Sequence, residues 1–176
     1  MKVLDQYVIP LNGVREGESE YIFTVNNKFF EQFKNSEISI ANIVVKCIVY
    51  KTGSLMDMTI HLMGEVEVVC DRCLDLFMYV VNNTYKLYIK ASPDKKEEEA
   101  EIIYITGFEQ QLNVAQYIYE YINFSIPLKK THPENIRGES LCNKQMLNKI
   151  KELSNKKGLK DKIDPRWERL INLREN

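Results

Sequence analysis

The residues of this 176-residue chain best equipped for chemistry are its four cysteines, Cys47, Cys70, Cys73 and Cys142, and its two histidines, His61 and His132. Cys70 and Cys73 stand three positions apart in VVCDRCLDLF, residues 68–77. Downstream, His132 and Cys142 are two further soft donors lying close together. Zinc takes four such ligands tetrahedrally, usually from two separated pairs. A Cys3His site from Cys70, Cys73, His132 and Cys142 is therefore arithmetically available, although one C-x-x-C followed by another would be a stronger pattern. Two alternatives stay open, inert buried thiols and a redox pair. The redox reading is disfavoured, because a reactive C-x-x-C needs a helix N-terminus just after its first cysteine to depress the thiol pKa. Here LDLFMYVV continues as strand. Cys47 reads as an ordinary small hydrophobe inside IVVKCIVY. His61, among Asp57, Glu65 and Glu67, reads as an exposed strand residue.

The turn that carries the cysteine pair is not a simple hairpin. A two-residue loop placing Cys70 opposite Cys73 would want Asn-Gly or Asp-Gly at its tip, and the tip here is Asp71-Arg72. Such a register would also set Val68 against Asp75 and Glu67 against Leu76, mixing apolar with charged partners. A knuckle, with both sulfurs aimed at one centre and backbone amides stabilising the thiolates, fits better.

The flanking elements read as strands. Residues 3–10 and 20–25 are the first two, separated by the polar GVREGES. Asn26 can cap a short helix, NNKFFEQF, with Phe29, Phe30 and Phe33 on one side. The β-branched ISIANIVVKCIVY is a long strand, and Thr52-Gly53-Ser54 a turn. Beyond it Met56, Met58, Ile60, Leu62, Val66 and Val68 alternate with Asp57, Thr59, His61, Glu65 and Glu67, so one face is apolar and the register well specified. Cys70 inherits the apolar parity. LDLFMYVVNNTYKLYIK is another long strand with a candidate bend at Asn82-Asn83, ASPDKKEEEAE a charged loop, and EIIYIT a short returning strand.

Helices follow. QLNVAQYIYEYINFSIP predicts a helix with Asn113 as N-cap, Gln116 completing a capping box and Leu112 stapled to Tyr117, ending before Pro127. A basic connector, LKKTHPENIRGES, leads to a second helix capped by Ser140, striped by Met146, Ile150 and Leu153 and stopped by Gly158. DPRWERLINLREN predicts a third, with Asp164 as cap, Pro165 first and Trp167, Leu170 and Ile171 on its apolar face.

Net charge is −1, which argues against a bulk polyanion binder, but the distribution is uneven. Residues 129–176 hold 13 Lys and Arg against 7 Asp and Glu, a net of +6, whereas residues 1–128 hold 11 against 18, a net of −7. Such a basic end suits nucleic acid as well as plain solvation. The beginning, MKVLDQYVIPLNGV, has no uninterrupted apolar core, and no run approaches the ~18 apolar residues of a membrane span. A cytoplasmic chain with reduced thiols is expected. No H-E-x-x-H, P-loop, G-x-S-x-G or dinucleotide fingerprint occurs, so catalysis is not expected.

CDRCL in a β-rich chain, the helix LNVAQYIYEYINFSIPL running into a proline, His132 and Cys142 just after it, and the closing DPRWERL together resemble the bacterial and plastid family typified by YceD, the large ribosomal RNA subunit accumulation protein. The resemblance spans the chain from about residue 55 and, weakly, the N-terminal strands. Many members carry a second cysteine pair in a glycine-rich knuckle near the C-terminus, where this chain offers only His132 and Cys142. The resemblance implies a non-enzymatic role in accumulation or maturation of large-subunit (23S) ribosomal RNA. The expected partners are that RNA or a ribosomal protein or assembly factor, without membrane or small-molecule substrate.

Candidate RNA-contacting residues are Lys129, Lys130, Arg137, Lys156, Lys157, Lys160 and Lys162, with phosphate contacts from the cations and stacking from aromatic residues. Tyr117, Tyr119 and Tyr121 cannot share one helix face; packing on the sheet competes with exposure for stacking. The alternative class is a protein-docking module whose acidic sheet meets a basic ribosomal protein. The expected fold is α+β: an antiparallel, twisted sheet of about five to seven strands with one small N-terminal helix and two to three C-terminal helices. Residues 1–128 are expected to form the β-rich core and residues 129–176 a basic helical extension packed on the same domain.

Overall fold

The computed structural model describes residues 3–11, 14–53, 55–92, 101–106 and 110–155. In chain order a 3-10 turn (Val3–Gln6) precedes β1 (Val8–Pro10), β2 (Gly17–Asn26), α1 (Asn27–Phe30), β3 (Ala41–Thr52), β4 (Leu55–Val69), β5 (Leu76–Ala91), β6 (Ile102–Ile105), β7 (Gln111–Asn113), α2 (Ala115–Ser125) and α3 (Lys144–Asn155). Strands β2-β3-β4-β5-β6 make one sheet in that order, and β1 and β7 make a separate two-stranded pair. The architecture is the α+β class expected.

Period-two alternation decides the faces. Ile43, Val45, Cys47 and Val49 of β3, the six alternating residues Met56 to Val68 of β4, and Val81, Leu87 and Ile89 of β5 are all buried on one side of the sheet. Phe29 and Phe30 of α1 and Ile118 and Ile122 of α2 cover them. Asn26 caps α1 as expected, its side chain accepting the Lys28 N–H at 3.1 Å. Gly64 marks the closest approach of two strands. It has φ +155°, and a Cβ there would stand 2.7 Å from the Ile43 Cα.

Four expectations are corrected. Residues 3–10 are not one strand; the chain turns through a 3-10 helix and only Val8–Pro10 pairs, with β7. Pro10 has no N–H to extend such a ladder. The returning strand β6 runs parallel to β5, Tyr88 opposite Ile102 and Ala91 opposite Ile105. Buried Ile103 and Ile105 specify which face points inward, and alternation carries no information about direction. Ser140 does not cap α3: Asn143 Oδ1 accepts the amides of Gln145 and Met146, at 3.0 and 3.4 Å, while Ser140 Oγ accepts only the Cys142 N–H nearby. Finally, the α2 capping box does not form: the N-cap is Val114 rather than Asn113, and the Gln116 amide donates forward to Glu120 at 2.7 Å.

Asn113, the last residue of β7, accepts the Ala115 N–H at 2.9 Å from one position ahead of the N-cap, and the helix ends at Ser125, before Pro127. β5 passes Asn82 and Asn83 without interruption, paired to Met63 and Leu62. The loop 93–100, Gly158 and the DPRWERLINLREN helix lie outside the described residues.

Candidate metal centre

β4 and β5 do not close in a tight hairpin. Their ladder ends at Val69 opposite Leu76, and the four residues Asp71 to Leu74 form the loop. Leu74 N–H donates to the Cys70 carbonyl at 2.8 Å, Cys70 N–H donates to the Asp75 carbonyl at 2.9 Å, and Leu74 takes φ +64°. That left-handed conformation costs a non-glycine residue about 1–2 kcal/mol. It is the turn that lets Cys70 and Cys73 bury their side chains together. Both cysteines are withdrawn from solvent.

The other two donors come from the connector beyond α2. Pro127 stops that helix, and the following residues fold back along the knuckle. Asp71 N–H donates to the Lys130 carbonyl at 2.7 Å, and the Lys130 N–H donates to the Asp71 carboxylate. This pair of bonds sets His132 beside the knuckle, its ring centroid 4.6 Å from that of Phe77. The connector then runs to Cys142 through a turn in which Asn135 accepts the Arg137 and Glu139 amides, both at 2.9 Å. Asn143 Nδ2 donates to Asp75 at 3.1 Å, fastening the start of α3. Met146 and Leu147 pack over the cysteines.

The ligand atoms of Cys70, Cys73, His132 and Cys142 all lie within 4.8 Å of one another. Cys70 Sγ is 3.7 Å from Cys142 Sγ, and Cys73 Sγ is 3.4 Å from His132 Nδ1. Zn–S bonds of ~2.3 Å and Zn–N bonds of ~2.0 Å imply tetrahedral edges of about 3.8 Å between sulfurs and about 3.5 Å from sulfur to nitrogen. Two edges of the observed arrangement match those lengths. The arrangement of four soft donors could therefore hold a metal ion.

The electrostatics favour the thiolate at Cys70 and the neutral thiol at Cys73. Burial alone raises the Cys70 thiol, but the backbone amides of Cys73, Arg72 and His132, with the imidazole, outweigh it and bring the value down to about 6. Burial raises the Cys73 thiol, further supported by the neighbouring Cys70 and Cys142 and opposed by the Asn143 and Asp75 amides. One thiol poised to ionise beside one that resists it is what neighbouring sulfurs produce when they compete for one charge, and a bound cation would relieve that competition. Cys47 is different: burial pushes it up to about 12, and it belongs to the main core.

All four sequence-derived ligands thus come together. Asp71, Asp75, Asn143 and Phe77, which position them, were not anticipated; the signal available was the two aspartates bracketing the knuckle, since short acidic side chains often hold neighbouring backbone in turns. Of the candidate RNA-contacting residues, Lys129 and Arg137 are exposed. Lys130 is half-buried, its Nζ 3.6 Å from the Glu37 carboxylate. Lys156, Lys157, Lys160 and Lys162 lie outside the described residues. The tyrosines of α2 pack inward: Tyr119 stacks on Phe33 with centroids 4.0 Å apart, Tyr121 on Tyr85 at 4.4 Å, and Tyr117 rests against the core. His61 Nδ1 lies 2.9 Å from Thr84 Oγ1 on the solvent face of the sheet, away from the cysteines.

Fold and site together define a small α+β protein with a Cys3His cluster joining a β-knuckle to a basic connector. Residues 58–174 match the family described as Large ribosomal RNA subunit accumulation protein YceD, and the chain belongs to that family. No curated protein and no solved structure matches it. Among the described residues, no helix is long and apolar enough to cross a membrane.

Proposed function

We propose that this protein is a non-enzymatic cytoplasmic factor supporting accumulation of large-subunit ribosomal RNA. Residues 1–128 serve as a β-rich platform and residues 129–176 as the basic contact segment. A structural zinc ion held by Cys70, Cys73, His132 and Cys142 clips that segment to the platform. The observation carrying this reading is that four ligand atoms from distant parts of the chain converge within 4.8 Å, at the point where the net −7 part meets the net +6 part. Four protein ligands close a tetrahedral zinc site and leave no open position for substrate. The ion would supply charge neutralisation and cross-linking. The family description supports the ribosomal role.

Lys129 and Arg137, exposed on the connector, reach phosphate in this reading, together with Lys156, Lys157, Lys160 and Lys162. Binding to 23S ribosomal RNA fragments across a salt series tests it. Affinity falls with salt at a slope of about 0.7–0.9 per phosphate contact, and reversing Lys129 and Arg137 to Glu lowers both affinity and slope. An affinity indifferent to salt rejects direct RNA contact.

One observation favours the second reading, docking to a ribosomal protein or assembly factor: the solvent face of the sheet carries Glu18, Glu20, Asp57, Glu65 and Glu67, which would repel RNA. Partners recovered from cells that survive nuclease treatment support docking, and loss of all partners rejects it.

A further inference from the structure

The strand registers line up rows of side chains across the solvent face of the sheet. In one row Glu18 lies opposite Tyr50, Tyr50 opposite Asp57, and Asp57 opposite Tyr88. Directly opposed residues on neighbouring strands hold their Cβ atoms about 4.5–5.5 Å apart, so the Asp57 carboxylate stands between two phenol rings. The next row sets Ile48 opposite Thr59 and Thr59 opposite Lys86. Between the two rows is a cleft of about 220 Å³ lined by Tyr50, Asp57, Thr59, Lys86 and Tyr88.

Asp57 Oδ1 is wholly withdrawn from solvent and has no hydrogen-bond partner among the described residues. Such an atom is rare in folded proteins, because a buried acceptor without a donor forfeits its hydration for nothing. Lys86 and Lys90, two positions to either side of Tyr88, are the nearest cations in register on β5, yet both are exposed and no ion pair joins either to Asp57. The half-buried Asp57 carboxylate, lining the cleft between Tyr50 and Tyr88 with one oxygen unsatisfied, is complementary to a guanidinium or ammonium group. The carboxylate supplies a charge-assisted acceptor, and the rings supply faces that attract cations.

The rest of the face extends the match. Glu18, Glu20, Glu65 and Glu67 lie on it with Asp57, against Lys46, Lys86 and Lys90, so the face stays net acidic, and Lys46 is already paired to Glu20 at 2.7 Å. Exposed Ile22, Val44, Met63 and Val80 run between the charges. Acidic groups spaced around an apolar strip suit an extended segment whose cations alternate with aliphatic side chains.

We propose that this face docks a Lys- and Arg-rich segment of a partner protein, with one cationic side chain seated between Tyr50 and Tyr88 on Asp57. The inference deepens the protein-docking reading. It is independent of the metal centre and of RNA contact by the connector, so its failure leaves both of those standing.

The test is an amide-resolved NMR titration of the full chain with a capped peptide of alternating Arg and Ala, alongside a Glu-Ala control. Shift changes centre on Tyr50, Asp57, Thr59 and Tyr88 with the Arg peptide and are absent with the control. Asp57→Asn weakens binding by at least about tenfold, as expected on losing a charge-assisted contact, and Tyr88→Leu by about fivefold through the lost ring face. Glu65→Gln, farther along the same face, changes it by less than about twofold, since an exposed distant charge is screened. Tyr88→Leu carries the test alone if Asp57→Asn does not fold. Equal losses for Asp57→Asn and Glu65→Gln would overturn the proposal by showing diffuse attraction. So would shifts centred elsewhere, or contacts from residues 156–176 to Tyr50 and Tyr88 in the free protein, which would make the chain's own end the occupant.

Discussion

If the proposed zinc ion is bound, stripping it with a strong chelator opens a clip between residues far apart in the chain. Cys70 and Cys142 are separated by 72 positions and Cys73 and His132 by 59. With the sheet and α2 still folded, the clip closes only the tether from Ser125 to Cys142, worth about 3 kcal/mol by the relation used for covalent cross-links. Beyond the Asp71–Lys130 and Asn143–Asp75 hydrogen bonds and the Lys130–Glu37 ion pair, little among the described residues holds the connector and α3 in place. Met146 and Leu147 are half-buried while the neighbouring described positions of α3 are exposed, and an isolated helix of 12 residues is marginal in water. The main core, built from the sheet, α1 and α2, is a separate cluster from the cysteine cluster.

Chelation should therefore release the connector and leave the sheet folded. At about 1.4 kcal/mol per decade, the loss of about 3 kcal/mol multiplies the open population by ~100. Amide hydrogen exchange reads this directly. The Asp71 amide, held by the Lys130 carbonyl at 2.7 Å, and the Leu141 amide, held by Pro133 at 3.2 Å, lose about two decades of protection. Val45 and Ile60, at the buried centre of the sheet, change by less than about twofold. If Asp71 keeps its protection after the metal has demonstrably left, the clip does not exist. If Val45 and Ile60 lose protection in step, the ion supports the whole fold and the separation into two clusters is mistaken.

Three further outcomes are expected. The Cys70 thiol titrates at about 6, below its ordinary value; a depressed value favours the thiolate, metal-ready state at high pH and loses that preference as pH falls. Metal release followed with a chromophoric chelator therefore stays low above pH 6 and rises as pH falls through it, and full retention at pH 5 would contradict this. Cys47, pushed up to about 12 by burial, stays inert to an aromatic disulfide reagent at pH 8 until urea unfolds the sheet, whereas modification of the native protein there would show an open core. Gly64→Ala drives a Cβ toward the β3 backbone and destabilises by more than about 2 kcal/mol in urea titration; a smaller loss means that β3 and β4 separate freely at that point.

Much of the site could be read from local pattern. The failure of Asp71-Arg72 as a hairpin tip pointed to a knuckle, and the structure has one, with Leu74 rather than a glycine in the left-handed position. The four ligands were identifiable because thiols and imidazoles are scarce in this chain. Their positioning residues were harder to see, since Asp71 and Asp75 look like ordinary loop acids until Lys130 and Asn143 are brought against them. The tyrosines of α2 illustrate the same limit. Their spacing said that one points away from the other two, and only the aromatic partners Phe33 and Tyr85, from distant elements, show that packing rather than exposure prevails.

The amino-acid order by itself determined the faces of β3, β4 and β5, the start of α1 and the end of α2. Side-chain alternation, a capping carboxamide and a proline act over one to four residues. The tertiary structure alone decided the parallel direction of β6, the capping of α3 by Asn143, the convergence of His132 and Cys142 on the knuckle, and the isolation of the Asp57 oxygen. Each of these depends on where one segment comes to lie against another distant in sequence, and no local period records that path.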